Sequence, residues 1–204
     1  MSTPRPLVTE YVVLVDDEGR AIGTQLKSTV HTTSTPLHLA FSCYVFNSRN
    51  ELLVTERAGH KTTWPSVTTN SCCGHPGPDE DLGDAVVRRL EQELGIRVSN
   101  VRLLLPDFRY RAVMADGTVE NELCPVFGAV HEGPLPTPDP AEVARAQWIP
   151  WSKFSKYVDE GGDVSPWCSE QMPRLRALGG DPSRWATGDP SVLPPAARFV
   201  GGTV

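Results

Sequence analysis

The segment Thr69–Pro76 reads TNSCCGHP, with two adjacent cysteines just ahead of Gly74 and His75. Three chemistries fit such a stretch: a redox pair, a set of metal ligands, or one reactive thiol. A bridge between neighbouring residues is strained, which counts against the redox pair. The five cysteines are an odd count in a chain of 204 residues, and that fits reduced thiols better than a disulfide framework. No C-x2-C spacing occurs here, so the segment is not a zinc knuckle.

A second constellation has metal-ligand character. His31 and His38 bracket TTSTPL at the start of an extended segment, and His75 follows the cysteine pair. The tripeptide ENE, Glu120–Glu122, lies in a segment patterned as a strand, whose period of two sends both glutamates to one face and Asn121 to the other. Three imidazoles and two carboxylates suit a five- or six-coordinate site for Mn²⁺, Mg²⁺ or Zn²⁺. The plainer alternative is a set of isolated histidines satisfied on the surface or in the core, and an exposed strand edge.

A third signal lies on a helix expected from Asp81 to Leu94 and ended by Gly95. At 100° per residue, Leu82, Ala85, Val86 and Leu90 form an apolar stripe, and Arg89 and Glu93 fall in its middle. Asp84, Arg88 and Glu91 face away. Charges directed inward are costly unless paired or bound to something ionic. One reading is an i, i+4 ion pair. The other is that Arg89 contacts an anion while Glu93 holds a divalent metal.

These residues need a frame to bring them together. YVVLVD (Tyr11–Asp16) and AIGTQL read as strands about the turn DEG. Leu37–Asn47 reads as one long half-buried strand that SRNE turns into a hairpin partner, Glu51–Ala58. Asp107–Met114 and Thr118–Val130 read as another hairpin about ADG. Weaker helical patterns cover Ser152–Glu160 and Pro166–Leu178. The order implies an α/β (α+β) domain, a mixed sheet flanked by helices, over residues 8–178. A short extension, 1–7, precedes it, and a Gly-, Pro- and Ser-rich tail, 179–204, reads as loosely ordered.

The bulk numbers bound the partners. A net charge of −6 and pI near 5.4 argue against a nucleic-acid surface, though a few placed cations still suffice for one phosphate group. No apolar run approaches the ~20 residues that span a bilayer, so no membrane association is expected. The opening MSTPRPLVTE lacks the apolar segment of a secretory signal, making the cytoplasm the expected compartment. Oligomeric state is not written in the sequence, and a monomer is the default.

From Gly74 to Ile96 the chain reads GHPGPDEDLGDAVVRRLEQELGI. This resembles the Nudix box, whose helix carries glutamates that bind the metal for diphosphate hydrolysis. Where the family has R-E-U-x-E-E (U a bulky aliphatic), this chain has RRLEQE: Arg89 and Gln92 replace two glutamates and leave Glu93. Metal-activated hydrolysis needs clustered carboxylates, so the altered box implies a diphosphate that is held and not cut. VHTTSTPLHLAF, WPSVTTNSCCGHP, PDFRYRA, ENELCPVF and SPWC, in order between Val8 and Met172, together resemble type I isopentenyl-diphosphate isomerase, a Nudix branch that moves a double bond.

The resemblance implies metal ligands His31, His38, His75, Glu120 and Glu122, and a catalytic thiol at Cys73, with Cys72 a small buried hydrophobe. It pairs Cys73 with Glu122 for proton transfer. Tyr110 reads either as a proton relay to Glu122 or as a strand aromatic in the core, and Trp167 as a ring facing the carbocation, as hydrophobic packing, or as both. Lys27, Arg57, Lys61 and Arg89 are implied to hold the diphosphate. Glu93 and the Cys73 backbone carbonyl are implied to bind a Mg²⁺ that bridges its oxygens. The substrate is then a small prenyl diphosphate. A Nudix diphosphohydrolase and a non-catalytic metal-binding module are the rival readings; the first leaves the cysteine without a task, the second leaves the inward Arg89 and Tyr110 unexplained.

Overall fold

The computed structural model describes residues 9–199, so the expected extension 1–7 lies outside the described residues. In chain order the elements are β1 (Tyr11–Val15), β2 (Ala21–Leu26), a single turn α1 (Lys27–Val30), β3 (His38–Leu39), β4 (Phe41–Phe46), β5 (Glu51–Arg57), β6 (Thr68–Thr69), β7 (Cys72–Gly74), α2 (Leu82–Leu94), β8 (Ser99–Leu105), β9 (Arg109–Val113), β10 (Val119–Leu123), β11 (Val126–Val130), β12 (Val143–Pro150), α3 (Trp151–Asp159) and α4 (Pro166–Ala177). They form the expected α/β domain, but the mixed sheet is divided in two. One sheet runs β2-β1-β3-β10-β9; the other runs β12-β5-β4-β11-β8, with β6 on β5 and β7 on β4.

Two chain segments cross from one sheet to the other. Leu37–Asn47, expected as one strand, breaks at Ala40: His38–Leu39 joins the smaller sheet and Phe41–Phe46 the larger. Thr118–Val130 breaks likewise at Cys124–Pro125, because Pro125 has no N–H to continue a ladder. The two broken segments run parallel throughout, β3 beside β10 and β4 beside β11. Ala40 N–H to Leu123 O at 2.8 Å and Ser42 N–H to Pro125 O at 3.1 Å join them across the gap. The expected β4–β5 hairpin touches through Phe46 and Leu52, while β7 takes the other end of β4.

The period of two in β4 sorts the core. Phe41, Cys43 and Val45 pack under α2 with Leu82, Val86 and Leu90; Tyr44 and Phe46 point the other way, toward Phe154 and Met172 of α3 and α4. Helix α2 begins where the Asp81 carboxylate accepts the Gly83 N–H at 2.7 Å and ends at Gly95, whose φ of 64° a side chain would disfavour. The segment after Gly179, read from composition as a loosely ordered tail, packs on the domain as far as it is described. Trp185 is buried, Arg102 donates to the carbonyls of Pro182 and Trp185, and Gly188 N–H meets Leu103 O at 2.8 Å. Among the described residues no helix is long and apolar enough to cross a membrane.

Candidate active site

Strand β7 separates the two cysteines by its alternation. Cys72 is buried toward α2, in the expected role of a small apolar residue, while Cys73 pairs with Ser42 of β4 and reaches the cleft. All five cysteines are free thiols. Sequence reasoning missed the groups that hold the Cys73 sulfur. Asn70 is fully buried, and its amide donates to the carbonyls of Cys43 (3.0 Å) and Cys72 (2.8 Å). Those bonds turn Oδ1 toward three donors: the Thr69 hydroxyl (2.8 Å), the Trp167 indole N–H (3.0 Å) and the Cys73 thiol (3.3 Å). On the other side the Ser42 hydroxyl lies 3.4 Å from the sulfur and accepts from Gln171 at 3.0 Å. Burial pushes the Cys73 thiol up to about 12, against the hydrogen bonds of Ser42 and Asn70 that pull it down. The sulfur therefore carries its proton at neutral pH.

The parallel register of β3 and β10 sets His38 directly beside Glu122, and the antiparallel register of β10 and β9 sets Tyr110 on its other side. His31 and His75 complete a group: with His38 and Glu122, their ligand atoms lie within 4.8 Å of one another. His38 Nδ1–H donates to Pro36 O at 2.9 Å, leaving Nε2 as a lone pair. That lone pair faces His75 Nε2 at 3.2 Å and Glu122 Oε1 at 3.4 Å; His75 Nε2 lies 3.1 Å from the same oxygen. His31 Nε2 is buried without a hydrogen-bond partner, 3.9 Å from it. Three ring nitrogens and a carboxylate oxygen drawn together, with His31 Nε2 left without a partner, are what a divalent cation satisfies, and these residues fit one.

Burial would raise Glu122, but the three imidazoles outweigh it and hold the carboxyl well below the usual range. Burial drives His75 down to about 3, so its ring is neutral and ready to ligate. Glu120, expected as a fifth ligand, stands outside that group of four. Burial and the charge of Glu122 push it up, and it accepts the Tyr110 hydroxyl at 2.9 Å. The same hydroxyl lies 2.8 Å from Glu122 Oε2, so Tyr110 bridges both carboxylates.

The inward charges of α2 are buried as the wheel predicts, and Arg89 pairs with Glu93. Lys27, at the start of α1, meets Glu10 at 2.5 Å; Lys61, in the loop after β5, meets Glu142 at 2.5 Å. Arg57 donates to the carbonyls of Thr63 and Trp64 and lies over the Trp167 ring at 5.7 Å. Cys73, Glu122, Tyr110, Trp167, Glu93 and the four basic residues all line one cleft of about 610 Å³, together with His31, His75 and Glu120. His38 sits fully buried behind it. Cys72, beside Cys73 in sequence, faces α2 instead.

The fold and the cleft define the class. The family profile described as NUDIX domain matches residues 36–168. Solved structures agree on the fold: the Deinococcus radiodurans protein DR0079 superposes with a TM-score of 0.63 at 16% identity, over 81% of this chain and 98% of that one. A MutT protein from Methanosarcina mazei gives 0.54 at 16%, over 68% and 92%. The chain is a Nudix-domain protein. Its sequence is 54% identical to the isopentenyl-diphosphate Delta-isomerase of Saccharopolyspora erythraea, over 95% of this chain and all of that one. Identity to the proteins of that name is 52% in Mycolicibacterium vanbaalenii (86% and 97% covered) and 49% in Rhizobium rhizogenes (97% and 95%). The chain belongs to the isopentenyl-diphosphate Delta-isomerase family.

Proposed function

We infer that this cleft interconverts isopentenyl and dimethylallyl diphosphate, moving one double bond without breaking a phosphate bond. The carrying observation is that Cys73 and Glu122 line the same cleft although one belongs to the larger sheet and the other to the smaller. Isomerisation of the alkene requires a proton delivered at one end of the allyl unit and a proton removed at the other. Cys73, protonated at neutral pH, and Glu122, ionised and bridged to the Tyr110 hydroxyl, supply such a donor and acceptor on two walls. Tyr110 holds a transferable proton at Oη between the two carboxylates.

The intermediate is a tertiary carbocation that water would trap, so the apolar tail needs a dry enclosure. The Trp167 ring lines the cleft, and its face stabilises developing positive charge by roughly 0.5–2 kcal/mol. The His31, His38, His75 and Glu122 group would hold Mn²⁺, Mg²⁺ or Zn²⁺, with Glu120 entering as a further ligand. Such an ion supplies charge that fixes the position and ionisation of Glu122. Lys27, Arg57, Lys61 and Arg89 bind the diphosphate, and Glu93 with the Cys73 carbonyl would hold a Mg²⁺ that offsets its charge. Anchoring the head in this way leaves the tail between sulfur and carboxylate.

Arg89 and Gln92, standing where the Nudix box has glutamates, disfavour hydrolysis. Incubation of the protein with isopentenyl diphosphate and Mg²⁺, followed by NMR of the products, tests the inference. Dimethylallyl diphosphate with no free phosphate is the expected result; phosphate release would overturn it.

A further inference from the structure

Two carboxylates beside the diphosphate clamp have no part in the chemistry above. Glu10, just before β1, lies 2.5 Å from Lys27 Nζ and 3.7 Å from Arg89 Nη1. Glu142, just before β12, lies 2.5 Å from Lys61 Nζ and 3.5 Å from Arg89 Nη2. With Glu93 on Arg89, a carboxylate stands against every clamp cation except Arg57, which has no such partner among the described residues. These groups are partly or largely withdrawn from water, side-chain exposures running from 35% for Glu10 to 7% for Arg89, so their charges are poorly screened.

The charge count has a consequence for what the clamp accepts, given the diphosphate-binding role assigned above, on which this inference rests. Four cations against three carboxylates leave one positive charge. A diphosphate ester brings about three negative charges at neutral pH. Entering alone, it leaves the clamp with an excess of two negative charges; entering with one divalent cation, it leaves none. We propose that Glu10 and Glu142 are specificity-determining residues that make the clamp take a diphosphate as its divalent-metal complex and reject the free anion. Without these two carboxylates the clamp would carry three net positive charges and match the metal-free anion by itself. Each carboxylate also holds its lysine toward Arg89, so the cations are gathered before the ligand arrives.

The test is calorimetric titration of inorganic pyrophosphate into protein dialysed free of Mg²⁺, with metal analysis before and after dialysis to fix the content of the His/Glu group. Wild-type protein is expected to bind pyrophosphate at least tenfold more tightly when Mg²⁺ is present. The Glu10→Gln/Glu142→Gln double variant is expected to bind metal-free pyrophosphate at least tenfold more tightly than wild type and to lose most of the gain from Mg²⁺. A folded double variant that binds the free anion no better than wild type overturns the proposal. So does wild-type protein that binds free and magnesium-bound pyrophosphate equally, a result that needs no variant to fold. Turnover of isopentenyl diphosphate by the same wild-type preparation, with Mg²⁺ restored, separates the two inferences. Its absence sinks the isomerase reading, whereas the pyrophosphate affinities alone decide the role of Glu10 and Glu142.

Discussion

Asn70 Oδ1 lies 3.3 Å from the Cys73 sulfur and 3.0 Å from the Trp167 indole nitrogen, so one buried amide fixes a thiol and an aromatic ring that line the same cleft. Its NH₂ group is committed to the backbone carbonyls of Cys43 and Cys72, which leaves the oxygen as the acceptor. Replacement by alanine strands buried donors and carbonyls together. Asn70→Ala should lose about 1–3 kcal/mol of stability. Where the variant is still folded, kcat should fall by about 10- to 100-fold through misplacement of the thiol, with KM little changed. Steady-state kinetics below the melting transition check this; an unaltered kcat would reduce Asn70 to a packing role.

The clustered ligand atoms of the His31, His38, His75 and Glu122 group predict that metal removal weakens the fold as well as the activity. Chelation should lower the melting temperature, and re-addition of Mn²⁺ or Zn²⁺ at a hundredfold excess over Kd should restore about 2.7 kcal/mol, a rise of roughly 5–10 °C for a domain of this size. His38→Ala removes the ligand in register with Glu122 and should abolish the response. Identical melting with and without metal in wild type would contradict the site.

Acid stability follows from the clamp. Burial alone would raise Glu142, but the Lys61 hydrogen bond and the charges of Arg89 and Lys61 outweigh it, and its carboxyl lies below the ordinary value of 4.5. Glu10 is lowered in the same way by Lys27 and Arg89, against burial. A folded-state pKa below the unfolded one contributes stability above pH 4.5 that is lost as pH falls through the lowered value. Melting temperature should therefore decline as the solution is acidified below that point. Glu142→Gln should show a shallower decline than wild type; an equal slope would contradict the coupling.

How much of this was legible beforehand depended on periodicity. The inward Arg89 and Glu93 of helix α2 follow from a 3.6-residue pattern and its Gly95 stop from residue type, and both come out as read; the helix starts one residue later than expected, with Asp81 as its cap. The alternation of ENE likewise turned Glu120 and Glu122 inward, with Asn121 only partly covered. The breaks at Ala40 and at Cys124–Pro125 left no such trace, because the apolar pattern continues across them while the partner sheet changes. Strands β6 and β7 are too short to show a period, yet β7 is what separates Cys72 from Cys73. Strands β8 and β12 went unread as well.

Asn70 and Ser42 were invisible for a different reason. A buried polar side chain is recognised by its partners, and the deciding ones lie far away in sequence: Cys43 and Trp167 for Asn70, Cys73 and Gln171 for Ser42. The small polar run TTNS ahead of the thiol was the one available hint. In the segment after Gly179, a single residue outweighed composition: Trp185 inserts beside Phe46 and Trp151, with ring centroids 5.5 and 5.1 Å away, and its indole N–H meets Gly179 O at 2.8 Å.

Proton exchange at the substrate's allyl carbons tests the account most directly. Wild-type protein supplied with Mg²⁺ and isopentenyl diphosphate in heavy water should place solvent deuterium in both the recovered substrate and the dimethylallyl product. Cys73→Ala, with melting unchanged, should lose at least about a thousandfold of that exchange, the upper part of the range for a positioned proton-transfer group. Exchange that persists at the wild-type rate without the Cys73 thiol would contradict the mechanism at its centre.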